Sequence, residues 1–225
     1  DFYPGYMYVL DENLEIVRAE ENTNKEARDK EGHDPGAVIP GVQAQWIQPL
    51  VIRGNQGDCV KLKLSNKLEG GEDVSLHIHG SAMIVSATGA AATTTNPDTI
   101  VAKDKSGDYE WYIHPSTQEG VRQFHTFSND RELTVMGLFG AFVVEPRGSS
   151  YLEPLGSGDA TAATSGWQTI IKNGTGPDFR EFVLIYHEVG DEAFRPLNKK
   201  GDFLPQRDPL TDDYRPGGRA INYRS

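Results

Sequence analysis

The sequence predicts an all-β fold, an antiparallel sandwich or barrel, and three observations carry that reading. Apolar runs between residues 50 and 146 are short, the clearest of them alternates with a period of two, and Gly, Pro, Asn and Asp punctuate the intervals. No apolar run approaches the roughly 18 residues that a membrane span requires.

Taken in order, Tyr6-Met-Tyr-Val-Leu10 is a strand-like run. Asp11 to Asp34 is charge-dense, with Glu15, Glu20, Glu21, Glu26, Asp29 and Glu31 beside Lys25, Arg28 and Lys30. Few apolar residues recur there at helical spacing, so it reads as a solvated surface excursion, with a short helix as the alternative. Leu50-Val-Ile52 is a short strand, and Gly54 to Asp58 has turn chemistry. Cys59 to Ser65 places Val60, Leu62 and Leu64 on one face and Lys61 and Lys63 on the other, a half-buried strand. Further strands are expected at Val74–His79, Asp108–Ile113, Gln123–Phe127 and Leu138–Val144, the last stopped by Pro146. Ala82 to Thr95 reads as a long loop, and residues 147–178 as a Gly-, Ser- and Thr-rich linker. Glu181-Phe-Val-Leu-Ile-Tyr186 is an apolar strand, and Pro196, Pro205, Pro209 and Pro216 argue against regular structure after it.

Composition narrows the function. The chain has 225 residues, and 22 Lys and Arg stand against 33 Asp and Glu for a net charge of -11. Nucleic acid is therefore not an expected partner, because phosphate binding needs clustered basic residues. Hydrophobic residues make up 37% of the chain and the mean hydropathy is -0.53, so no membrane association is expected either. Cys59 is the single cysteine, which excludes an intrachain disulfide and a cysteine-rich zinc site. It reads as a small buried hydrophobe. The chain opens at Asp1 rather than Met, as a processed chain or a piece of a longer one does. Asn173-Gly-Thr175 has the pattern of a glycosylation acceptor.

The histidines carry the chemistry. His77 and His79 lie two apart in Ser75-Leu-His-Ile-His-Gly80. In a strand both imidazoles point to one face, while Ile78 faces the core. Such a pair can converge on copper, zinc, iron or nickel, or can lie on a wet sheet face. His125, in Phe124-His-Thr-Phe127, is a third candidate ligand or a hydrogen-bonded structural histidine. His114, before Pro115, reads as a strand-end residue, His187 as a residue following an apolar strand, and His33 as solvated.

These segments together resemble the first cupredoxin domain of multicopper oxidases. The resemblance rests on Gly57-Asp-Cys-Val-Lys-Leu-Lys-Leu-Ser-Asn66, Ser75-Leu-His-Ile-His-Gly80, Tyr109-Glu-Trp-Tyr-Ile113, Phe124-His-Thr-Phe127 and Gly137-Leu-Phe-Gly-Ala-Phe-Val-Val144. The Gly-Leu-Phe-Gly run is more similar to ceruloplasmin-like and large bacterial metal-oxidising members than to compact laccases. The resemblance implies a cupredoxin-like Greek-key β-sandwich over residues 1–146, a linker over 147–178, and a long irregular extension or the start of a second cupredoxin domain over 179–225. It implies copper as cofactor, with His77 on a type 2 copper and His79 and His125 on type 3 coppers. Two departures stand out. Phe127 occupies the place of the family's next histidine, and Cys59 lacks the neighbours of a type 1 site. The resemblance thus implies further cupredoxin domains or subunits completing the copper sites, with a metal ion or small reductant and dioxygen as substrates. It also implies a periplasmic or extracellular location. A non-catalytic cupredoxin module is the alternative, and a cupin is a lesser one, because Ser81 to Ile84 lack the glutamate a cupin wants.

Overall fold

The computed structural model describes residues 5–31, 46–78, 84–85, 100–128, 133–134, 136–153, 164–189 and 218–221. The chain divides into two compact units, Leu50–Val183 on the one hand and Asp1–Pro49 with Leu184–Ser225 on the other.

The Leu50–Val183 unit is built from β1 (Leu50–Asn55), β2 (Cys59–Ser65), β3 (His77–Ile78), β4 (Ile84–Val85), β5 (Ser106–Tyr112), β6 (Gly120–His125), β7 (Phe139–Glu145), β8 (Ser150–Leu152), β9 (Gln168–Lys172) and β10 (Phe179–Phe182). One sheet has the order β1-β7-β6-β3, a second β2-β5-β4 and a third β10-β9-β8. β7 is buried along its whole length. A strand covered on both faces needs a continuous apolar run rather than an alternating one, which is what Phe139 to Val144 supplies. It pairs in parallel with β1 and antiparallel with β6. β2 keeps the expected alternation, and it pairs with β5 from Cys59 opposite Tyr112 to Ser65 opposite Ser106.

The first two sheets face each other. Trp111 of β5 and Phe142 of β7 meet edge to face with ring centroids 5.7 Å apart. Around them Val51, Ile113, Phe124, Val143 and Val144 are almost wholly covered. Gly54 sits at a close approach, since a Cβ there would stand 2.7 Å from Ile113 and 3.2 Å from Phe142. The β8–β9–β10 sheet is tied to β1 by polar contacts: Tyr151 donates to Asn55 Oδ1 at 2.6 Å, Asn55 donates to the Ser149 carbonyl at 2.8 Å, and Arg53 pairs with Glu181 at 2.6 Å.

Residues 147–178 thus differ from the expected linker, for β8 and β9 lie within them. β9 is flanked on both sides, by β8 and β10, and Thr169 and Ile171 are fully covered. The alternation of Gln168 to Lys172 is too short to stand out against its Gly- and Ser-rich surroundings.

In the other unit, a single 3-10 turn at Asp11–Asn13 leads into α1 (Leu14–Glu31). The expected solvated excursion is therefore a helix. Its Glu, Lys, Arg and Ala are strong helix formers. The covered positions Val17, Glu20 and Asn24 recur three and four apart, but two of the three are polar, so the face escapes a count of apolar residues. The Glu20 carboxylate accepts the backbone N–H groups of Trp46 and Ile47 at 3.0 and 3.1 Å, which satisfies its burial. The run at Tyr6 to Leu10 is not a strand. β11 (Tyr186–Val189) pairs antiparallel with β12 (Gly218–Ile221), so the C-terminal stretch contains regular structure; its prolines lie outside the described residues.

Candidate metal centre

β3 and β6 bring two of the sequence-derived ligands together. His77 stands directly opposite His125 in the antiparallel register, and Ile78 opposite Phe124. Directly opposed residues share a face, so the two imidazoles project to one side while Phe124, wholly buried, enters the core on the other. Their ring centroids lie 6.0 Å apart, edge to face.

Neighbouring side chains hold this short pairing in place. The Ser75 N–H donates to Thr126 Oγ1 at 3.0 Å, and the Phe127 N–H donates to Ser75 Oγ at 2.9 Å. Ser75 and Thr126 are both buried, so these bonds extend the register beyond the two residues of β3. His125 itself is 5% exposed, and its Nδ1 lies 2.6 Å from the Thr126 carbonyl. A carbonyl only accepts, so Nδ1 carries the proton and the lone pair of the neutral ring sits on Nε2. Ligating histidines are commonly oriented in this way, with the second nitrogen donating to a carbonyl.

Phe127 is the third ring of the group. Its centroid is 4.0 Å from that of His77, nearly perpendicular, and 5.1 Å from that of His125. Hydrocarbon therefore packs against both imidazoles. The donor set fits copper in kind, since imidazole suits it. Among the described residues, however, no three His, Cys, Asp or Glu side chains are grouped as a metal site. His79 lies outside the described residues, as does His33.

The other candidates fall elsewhere. His114 is exposed and its Nδ1 lies 2.6 Å from Ser116 Oγ, a strand-end contact. His187 is in β11, opposite Ala220. Cys59 is exposed rather than buried. It shares the outer face of β2 with Lys61 and Lys63, and its thiol donates to Glu110 at 3.0 Å, which together with some desolvation holds its pKa above the usual value. Two polar features were not found by sequence reasoning, the Ser75–Thr126 contact and the buried charged residues Arg53, paired with half-buried Glu181, and Glu145. The one legible signal for the latter is a glutamate closing the apolar run Phe142 to Glu145.

A β-sandwich that sets two imidazoles side by side on adjacent strands belongs to the class of all-β folds with a candidate metal-binding face. The multicopper oxidase family profile matches residues 24–149, more than half of the chain, and the chain belongs to that family. Its fold is the cupredoxin-like β-sandwich, and the cofactor of the family is copper. Among solved structures, a multicopper oxidase from Pseudomonas thermotolerans is 26% identical, with a TM-score of 0.37, over 51% of this chain and 26% of that one. A laccase-like multicopper oxidase from Ochrobactrum sp. is 23% identical, with a TM-score of 0.35, over 45% of this chain and 21% of that one. Lac15 from a marine microbial metagenome is 20% identical, with a TM-score of 0.35, over 44% of this chain and 24% of that one. The chain thus spans about a quarter or less of the length of these proteins. No curated protein sequence matches it. Among the described residues no helix is long and apolar enough to cross a membrane.

Proposed function

We propose that the chain is the first cupredoxin domain of a multicopper oxidase that oxidises a metal ion or small reductant and reduces dioxygen to water. His77, His79 and His125 are the ligands it supplies, His77 to a type 2 copper and the other two to type 3 coppers. The observation that carries the reading is the His77–His125 register, with the His125 Nδ1 proton directed at the Thr126 carbonyl. Copper bound there supplies one-electron steps toward dioxygen. The chain's own residues fix the donors: Thr126 sets the His125 tautomer, Ser75 and Thr126 hold β3 against β6, and Phe127 covers one side of the imidazole pair with hydrocarbon. Further cupredoxin domains or subunits complete the copper sites, residues 179–225 lead into the second domain, and the whole works in the periplasm or outside the cell.

Phe127 favours a second reading, a cupredoxin module that assists assembly without turnover. Copper content separates the two. After copper loading and removal of excess metal, the assembled protein, with the domains that complete the sites, should retain copper, and the double variant His77→Ala with His79→Ala should lose it. His125→Ala should weaken retention by more than about tenfold. Equal copper in wild type and double variant overturns the ligand assignment. An assembled wild type that holds no copper supports the module.

A further inference from the structure

β3 is two residues long, too short for its own ladder to fix it firmly. A slip of one residue in its pairing would turn His77 to the opposite face. The residues leading into it are anchored one by one. Val74 and Val101 exchange both backbone hydrogen bonds, at 3.0 and 2.7 Å. The Ser75 N–H goes to Thr126 Oγ1, and the Leu76 N–H donates to the Tyr109 hydroxyl at 3.3 Å. This last anchor is the one next to His77 in the chain. It comes from the other sheet, since Tyr109 belongs to β5. Tyr109 and Leu76 are both buried. The tyrosine ring meets Trp111 edge to face with centroids 6.5 Å apart, and Trp111 in turn meets Phe142. A ring packed in this way carries its hydroxyl at a fixed point, and a buried tyrosine hydroxyl finds a hydrogen-bond partner.

We propose that Tyr109 is a positioning residue for His77: by accepting the Leu76 N–H from across the sandwich, it keeps the imidazole facing His125 and Phe127. Its bearing on the copper centre rests on the reading of His77 as a ligand. Without the hydroxyl, a buried N–H loses its acceptor, and a donor left so is costly until the backbone moves to satisfy it. Val74 and Ser75 stay tied to Val101 and Thr126, so the movement falls on Leu76 and on His77 after it. The core ring pair Trp111 and Phe142 does not depend on the hydroxyl and stays in place.

The test uses the metal-free full chain, read by NMR and amide hydrogen exchange. The Phe127 ring, 4.0 Å from that of His77 and nearly perpendicular to it, displaces the His77 ring-proton shifts from their free values. Tyr109→Phe keeps the aromatic ring and removes only the hydroxyl. In that variant the His77 shifts should collapse toward free values, and Leu76 amide protection should fall about fivefold or more relative to Phe142. Tyr112→Phe removes a hydroxyl from the opposite face of the same strand, the face shared with Cys59, and should change neither. His77 shifts and Leu76 protection that stay as in wild type overturn the role, even if Tyr109→Phe lowers stability. Equal loss of protection at Phe142 also overturns it, because the hydroxyl then serves the whole core. If the variant fails to fold, the wild type decides: a Leu76 amide as protected as Phe142 upholds the bond, and one that exchanges like an exposed amide overturns it. The two readings fail separately, since copper content decides the ligand assignment and the metal-free His77 shifts decide the role of Tyr109.

Discussion

Arg53 is wholly covered, and its charge is answered by Glu181 and the Gly166 carbonyl rather than by water. Removing one member of such a set strands the others, which is costlier than the interaction itself is favourable. Arg53→Met should therefore destabilise the chain by about 3–5 kcal/mol, measured as a lowered urea midpoint with an unchanged slope. A change below about 1 kcal/mol, the range of an exposed pair, shows that the guanidinium is not carrying the acids. Single residues also show what a sequence displays and what it hides. The period of two that separates Val60 from Lys61 places Cys59 with the lysines, so its exposure was legible in the strand; the tendency of cysteine to be buried pointed the other way. The opposition of His77 and His125 was half legible. Each strand's face was readable, but the register that sets one ring against the other depends on Ser75 meeting Thr126 across the sheet. Arg53 and Glu181 meet only through tertiary packing, and no local pattern announces them.

At the scale of elements, β7 is the strand on which the sandwich depends, and Gly140 fixes how closely its neighbours approach. It pairs with Leu50 on one side and Phe124 on the other. A Cβ at Gly140 would run into the Phe124 ring and the Leu50 carbonyl. The Phe124 side chain is wholly buried and the carbonyl is backbone, so neither has room to give. Gly140→Ala should cost about 1–3 kcal/mol through overpacking, read by thermal or urea unfolding. The same change at exposed Gly176, where a Cβ would meet Asn173 at 3.1 Å, should cost less because that side chain can turn aside. If the two variants are equally stable, crowding at Gly140 is not what its small size serves. The strands of the sandwich were legible because each carries its own signature, alternation in β2 and a continuous apolar run in β7. α1 was not, because its covered face is held by Glu20 accepting the Trp46 and Ile47 N–H groups, a contact between residues far apart in sequence.

At the scale of the molecule, the compact unit runs from Leu50 to Val183 and does not stop at Pro146. A chain cut after Pro146 keeps Trp111, Phe142 and Phe124, the heart of the sandwich, but loses β8, β9 and β10. Arg53 then loses Glu181 and the Gly166 carbonyl, and Asn55 loses the Tyr151 hydroxyl and the Ser149 carbonyl. Groups buried with those partners would need water that a β-sheet end partly excludes, and each unsatisfied one costs about 1–3 kcal/mol. For a domain whose net stability is about 5–15 kcal/mol, several such losses are decisive. A fragment of residues 50–183 should therefore unfold in one cooperative transition, and a fragment of residues 50–146 should be largely unfolded or aggregated under the same conditions. Calorimetry on the two fragments makes the comparison. Equal stability would place the boundary at Pro146, and would reduce the third sheet to an ornament on a sandwich that stands without it.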